Sequence, residues 1–170
     1  MAFVVVLASA AHSQLTPLVP ASARSSSGQF VIHGAPRPGI AVPDLGANTN
    51  LFRLELTLLT ISCERIKQIL YRELETTAPW NSKIFLALYP SRTLGEPVTI
   101  TSERFADGWQ YRVDLPDVLD RAHYVRALVQ VLLVEMANRH PSGRSAEIPT
   151  WLIEGLTQQI LASSQIQNLV

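Results

Sequence analysis

Glu135-Met136-Ala137-Asn138-Arg139 closes a long apolar run, and Pro149-Thr150-Trp151-Leu152-Ile153-Glu154-Gly155-Leu156 follows after a short polar break. These two segments decide the fold. Val125, Leu128, Val129, Val131, Leu132, Leu133, Val134 and Met136 cover nearly the whole circumference of a helix, which predicts a long helix buried on most sides. Between Leu128 and Met136 the only charge is Glu135. A carboxylate in such surroundings must be paired, hydrogen-bonded or protonated. Arg139, one turn later at i+4, is its nearest candidate partner. The second segment opens a helix after Pro149, with Thr150 as the expected N-cap. Glu154 then falls in the first turn, where the helix dipole favours a carboxylate by about 0.3–1 kcal/mol. Trp151 is expected to anchor the core, in preference to walling a cleft.

The order Trp-x-x-Glu-Gly-Leu, here Trp151 to Leu156, resembles the glutamate-bearing helix of gluzincin-type peptidases, the group that includes the peptidase MA-like domains. In that family a preceding helix supplies His-Glu-x-x-His, and the glutamate of the second helix is the third zinc ligand. The matching register here reads Val134, Glu135, Met136, Ala137, Asn138. By resemblance, Glu135 stands at the general-base position and Glu154 at the third-ligand position, while Val134 and Asn138 replace the two histidines. A catalytic zinc needs three protein ligands and an open position, and zinc binding worth about 10–16 kcal/mol in small structural sites is beyond a lone carboxylate with an amide nearby. No metal, no cofactor and no catalytic residue is therefore expected, zinc being ancestral only. The resemblance implies instead a vestigial polar network of Glu135, Asn138, Arg139 and Glu154 that joins the two helices. It spans roughly Phe52 to Leu161, although only the two motif helices are specific.

Outside these helices the chain reads as α+β. Phe30-Val31-Ile32 is a strand candidate, and Ala35 to Asn50, with three prolines, is a loop. Phe52, Leu54 and Leu56 alternate with polar residues as an extended entry to a helix over Ile61 to Glu75. That helix buries Ile66, Ile69, Leu70 and Leu74 and carries Glu64, Lys67 and Glu73 on its outer side. Lys83 to Tyr89 is an inner strand expected to be covered on both faces. Val98 to Phe105 and Trp109 to Leu115 form a hairpin joined at Ala106-Asp107-Gly108. Pro116 ends it, and Asp117 or Asp120 caps the long helix, which is expected to run to about His140. The predicted architecture is a small mixed sheet with a hairpin, packed on a long buried helix and a second helix, resembling the gluzincin N-terminal lobe.

Composition sets the outer limits. The chain has 170 residues, 47% of them hydrophobic, enough for one domain with a core. Fourteen basic and fourteen acidic residues sum to zero and form no blocks, so nothing suggests nucleic acid or an anionic membrane as a partner. Cys63 is the single cysteine, which excludes an intrachain disulfide. It lies in a helical pattern with no histidine motif beside it and reads as a small buried hydrophobe. Residues 1–13 are read as a weak signal peptide: Phe3 to Ala8 is apolar and Ala8-Ser9-Ala10 is a small-x-small cleavage motif, although no basic residue follows Met1. The apolar run is shorter than the ~20 residues of a membrane span. Residues 14–27, rich in Ser, Ala and Pro, are read as a flexible linker. Residues 28–170 form the domain, exported to a periplasmic or extracellular location.

Three functional readings follow. The first is a non-catalytic metallopeptidase-like domain that binds an extended peptide or an envelope partner by main-chain hydrogen bonds. The resemblance places that contact along Tyr111 to Leu115, the strand before the motif helix, as an edge. The second is a hydrolase with a non-standard metal site, Glu135 with His140 or His123. The other histidines, His12 and His33, lie in the N-terminal segment, and no Gly-x-Ser-x-Gly, phosphate loop or Cys-His pair is present. The third is a fragment of a longer peptidase-like protein, because the family continues into a helical second lobe and this chain stops at Val170.

Overall fold

A computed structural model describes residues 21–34, 50–139 and 143–163. Five strands form one mixed sheet: β1 (Ser22–Arg24), β2 (Phe30–Gly34), β4 (Ile84–Tyr89), β5 (Thr99–Phe105) and β6 (Gly108–Pro116), in the order β1-β2-β4-β6-β5. β2, β4 and β6 run parallel, and β1 and β5 are antiparallel at the two edges. β3 (Leu51–Arg53) pairs separately with β7 (Val118–Asp120). The described residues also form three helices: α1 (Leu56–Glu73), α2 (Arg121–Ala137) and α3 (Thr150–Ala162). The chain is thus a mixed α+β fold, and no helix among the described residues is long and apolar enough to cross a membrane.

The register explains the layering. Side chains alternate across a strand, and Phe30, Ile32, Ile84, Leu86, Leu88, Val113 and Leu115 fall on one face, which is buried beneath α1 and α2. α2 is buried almost all round, as its composition requires, and its start is set by Asp120, whose carboxylate accepts the His123 N–H at 3.0 Å. Buried tyrosine Tyr124 of α2 shares a 2.5 Å hydrogen bond with Ser62 of α1, tying the two helices together. α3 lies across them and buries Ile153, Thr157 and Ile160.

Several expectations are corrected. β4 is not covered on both faces: Ile84, Leu86 and Leu88 are buried, whereas Phe85, Ala87 and Tyr89 are half-buried on the opposite face. Tyr111 to Leu115 is not an edge. β6 is paired with β4 on one side and β5 on the other, because the hairpin folds β5 outward. The linker reading fails over its last part: Ser22–Arg24 forms β1, and the following turn packs on α1. Glu64 and Lys67 do not face solvent. They form a buried 2.6 Å ion pair, with Ser27 donating to Glu64 at 2.5 Å and Lys67 donating to Ser27 at 3.0 Å. α1 begins at Leu56 and α2 ends at Ala137, not at about His140. The residue before α3 is Pro149, without a side-chain cap, so Thr150 opens the helix and Glu154 lies beyond its first turn. Trp151 is 74% exposed, not a core anchor. The signal segment 1–13, the loop 35–49, His12, His140 and the tail 164–170 lie outside the described residues.

Candidate functional site

Glu135 is 1% exposed on the last turn of α2. Its Oε1 accepts the Asn81 N–H at 2.8 Å, the Ser82 N–H at 3.3 Å and the Arg139 Nε–H at 3.3 Å. Its Oε2 accepts from Arg139 Nε at 3.2 Å and Nη2 at 2.7 Å. Arg139 also donates to the Tyr71 hydroxyl at 2.7 Å and stacks its guanidinium 5.9 Å from the Tyr71 ring. Burial raises the Tyr71 hydroxyl, with Arg139 opposing. A carboxylate has about four lone-pair positions, and those of Glu135 are taken by five donor contacts. Both oxygens are thus engaged by protein N–H groups. Chemically the cluster is a latch that holds the end of α2 to α1 and to the segment entering β4.

Asn138 is buried at the C-cap of α2. Its Oδ1 accepts the Ala146 N–H at 2.7 Å and its Nδ2 donates to Ser145 at 3.4 Å, while Ser145 bonds Ser102 of β5 at 2.8 Å. Val134 is 8% exposed and packs in the core. Glu154 does not join Asn138 or Arg139, so the four-residue network is corrected to separate pairs. Its Oε1 accepts from Arg126 Nε at 2.6 Å, with side chains 38% and 47% exposed. Arg126 lies eight residues before Val134, about 12 Å away along the helix axis at 1.5 Å per residue.

These positions do not fit a zinc ion. Val134 has no donor, Asn138 is engaged by the segment between α2 and α3, Glu135 is neutralised by Arg139, and Glu154 is bound two turns away. Among the described residues no three His, Cys, Asp or Glu side chains cluster as ligands. His123 is exposed and hydrogen-bonded to Asp120, and His33 lies on β2, so neither approaches Glu135. Burial pushes the Cys63 thiol up to about 12, which keeps it protonated at neutral pH.

The open feature is β5. Among the described residues it pairs with β6 on one side only, with alternate N–H and C=O groups of Thr99–Phe105 on its other edge. Hollows flank it on both faces. On the face away from the helices, Phe85, Ala87, Thr101, Glu103, Phe105 and Arg112 line a groove of about 350 Å³. On the helical side, Asn81, Ser82, Arg104, Trp109, Asn138 and Arg139 line a cleft of about 190 Å³. The latch and the edge strand therefore meet at this cleft.

Sequence reasoning missed Tyr71, the Asn81 and Ser82 amides, Arg126 and Ser145, which are distant in the chain and carry no local signal. It also missed the β5 edge, for which Glu103 and Arg104 on successive residues were a signal. No protein-family model, curated protein or solved structure matches this chain.

Proposed function

We propose that this chain is a non-catalytic, metallopeptidase-like domain that captures an extended peptide by strand addition along β5. The observation that carries the reading is the β5 edge, unpaired among the described residues and set between two hollows. A strand added to β5 forms main-chain hydrogen bonds irrespective of its sequence, and its side chains alternate between the outer groove and the helical cleft. The saturated hydrogen bonding of Glu135 and the separation of Glu154 from it support capture without hydrolysis. In this reading residues 1–13 are an export signal and the ligand is met in the periplasm or outside the cell. The likeness to gluzincins remains one of motif order.

The test is amide exchange by NMR on the full chain with blocked nine-residue, threonine-rich peptides. Binding is expected to slow exchange of β5 amides, to persist in EDTA and to leave every peptide intact by mass spectrometry. Protection confined to other elements, or peptide cleavage, refutes the proposal.

A further inference from the structure

We infer that the outer groove beside β5 selects a lysine or arginine side chain from the captured strand, with Glu103 as its counter-charge. The inference rests on strand capture at β5 and specifies its ligand. Thr101, Glu103 and Phe105 alternate onto the outer face of β5 and form one wall of the groove. Phe85 and Ala87 of β4 lie on its floor. The carboxylate of Glu103 is exposed and makes no hydrogen bond or ion pair among the described residues. The neighbouring cation, Arg112, is already neutralised: its Nη2 and Nε reach Asp114 Oδ1 at 2.8 and 3.0 Å. The unbalanced charge of the groove wall is thus negative.

Directly opposed residues on adjacent antiparallel strands have Cβ atoms about 4.5–5.5 Å apart on the same face. The ligand residue opposite Glu103 consequently lies against the β5 wall of this groove. A long basic side chain suits that wall, its methylenes lying against Thr101 and Phe105, the diagonal neighbours on the same face, and its head reaching the carboxylate. The exposed ring of Phe105 offers the cation further contact. An acidic residue would face Glu103 at the distance where like charges repel, and an apolar residue would meet Thr101 and Phe105 alone.

The experiment titrates the full chain with three blocked nine-residue, threonine-rich strands that differ only at the centre: lysine, norleucine or glutamate. Affinity is read by fluorescence anisotropy and placement by β5 amide protection. Lysine is expected to bind about five-fold tighter than norleucine, with glutamate weakest, and the advantage should shrink in 1 M salt. Glu103→Gln should abolish lysine's advantage, and Glu103→Lys should transfer it to glutamate. Equal affinity of all three strands with β5 protected overturns the charge selection while leaving strand capture standing. No binding by any of them overturns strand capture itself, and the selection with it.

Discussion

Replacing Arg139 with methionine should unfold the latch energetically without unfolding the helix. The substitution keeps much of the side-chain stem and lies past the C-cap of α2, but leaves Glu135, whose side chain is 0% exposed, without its counter-charge. Breaking a buried ion pair by removing one partner costs about 3–5 kcal/mol. The low end applies here, because Asn81 and Ser82 still donate two backbone hydrogen bonds to Oε1. With a urea m-value of about 2 kcal/mol/M, a loss of about 3 kcal/mol lowers the unfolding midpoint by roughly 1.5 M. The double variant Glu135→Met/Arg139→Met removes the buried charge altogether. Its residual cost is the two freed amides, which border the cleft and can be hydrated, so it should lose only about 1–2 kcal/mol. Urea titration of the wild type, both single variants and the double variant closes the cycle. A coupling below about 0.5 kcal/mol, or an Arg139→Met loss below about 1 kcal/mol, would show that Glu135 does not depend on Arg139. The case against a general base would then fail with it.

Further outcomes follow from the other charged pairs and the exposed ring. Arg126→Ala should cost no more than about 1 kcal/mol, since the Arg126–Glu154 pair is 38% and 47% exposed; a loss of 3 kcal/mol in urea would contradict that geometry. Burial raises the Glu64 carboxyl, but the Lys67 ammonium and the Ser25 and Ser27 hydroxyls together hold it below its ordinary value. Its folded pKa is therefore depressed, so its contribution is full above the unfolded value of about 4.3 and is lost as pH falls through the folded one. Urea midpoints measured from pH 7 to pH 3 should fall over that acid range, and Lys67→Met should flatten the fall. Val134→His/Asn138→His should yield only weak, chelator-sensitive zinc binding, because Glu154 is held by Arg126; tight stoichiometric zinc by elemental analysis would show that Glu154 reaches the register. Trp151→Ala should remove the reddest part of the tryptophan emission while changing stability by less than about 0.5 kcal/mol.

What could be read from the chain follows from how local each signal is. The burial of α2 is written in its own residues, since apolar side chains on every side of a helix leave it no solvent face. The β5–β6 turn at Ala106-Asp107 is equally local, closing onto Gly108 at a φ of +126°. Strand order is different, because β6 is flanked by β4 from earlier in the chain and its place in the sheet is not a property of its own alternation. Lys67 and Glu64 were assigned to solvent on charge alone, yet the small hydroxyls of Ser25 and Ser27 allow the turn after β1 to close over them. Trp151 could have been placed correctly: Ile153, Thr157 and Ile160 mark the buried stripe of α3 at i, i+4 and i+7, and Trp151 lies about 200° around the helix from Ile153.

The same arginine that pairs with Glu135 also bears on the candidate peptide site. Arg139 holds Glu135 from just past the end of α2, at i+4, and simultaneously reaches Tyr71 on α1, so the wall of the helical cleft is set by the end of α2 and by α1 together. Asn138 continues that wall to Ser145, and Ser145 bonds Ser102 on β5 itself. Of the polar residues in the motif register, Asn138 is thus hydrogen-bonded toward the edge strand through Ser145, while Glu135 and Arg139 form a separate cluster against α1 that borders the same cleft. A latch of this kind fixes the cleft before any strand arrives, and a pre-formed edge loses less conformational freedom on binding than one that must be ordered by its ligand. Loosening it should consequently weaken peptide capture through β5 even though Arg139 lies on a different element. In Arg139→Met, lower affinity for the lysine strand together with faster exchange of free β5 amides would establish that link, and unchanged affinity at unchanged exchange would separate the latch from the edge.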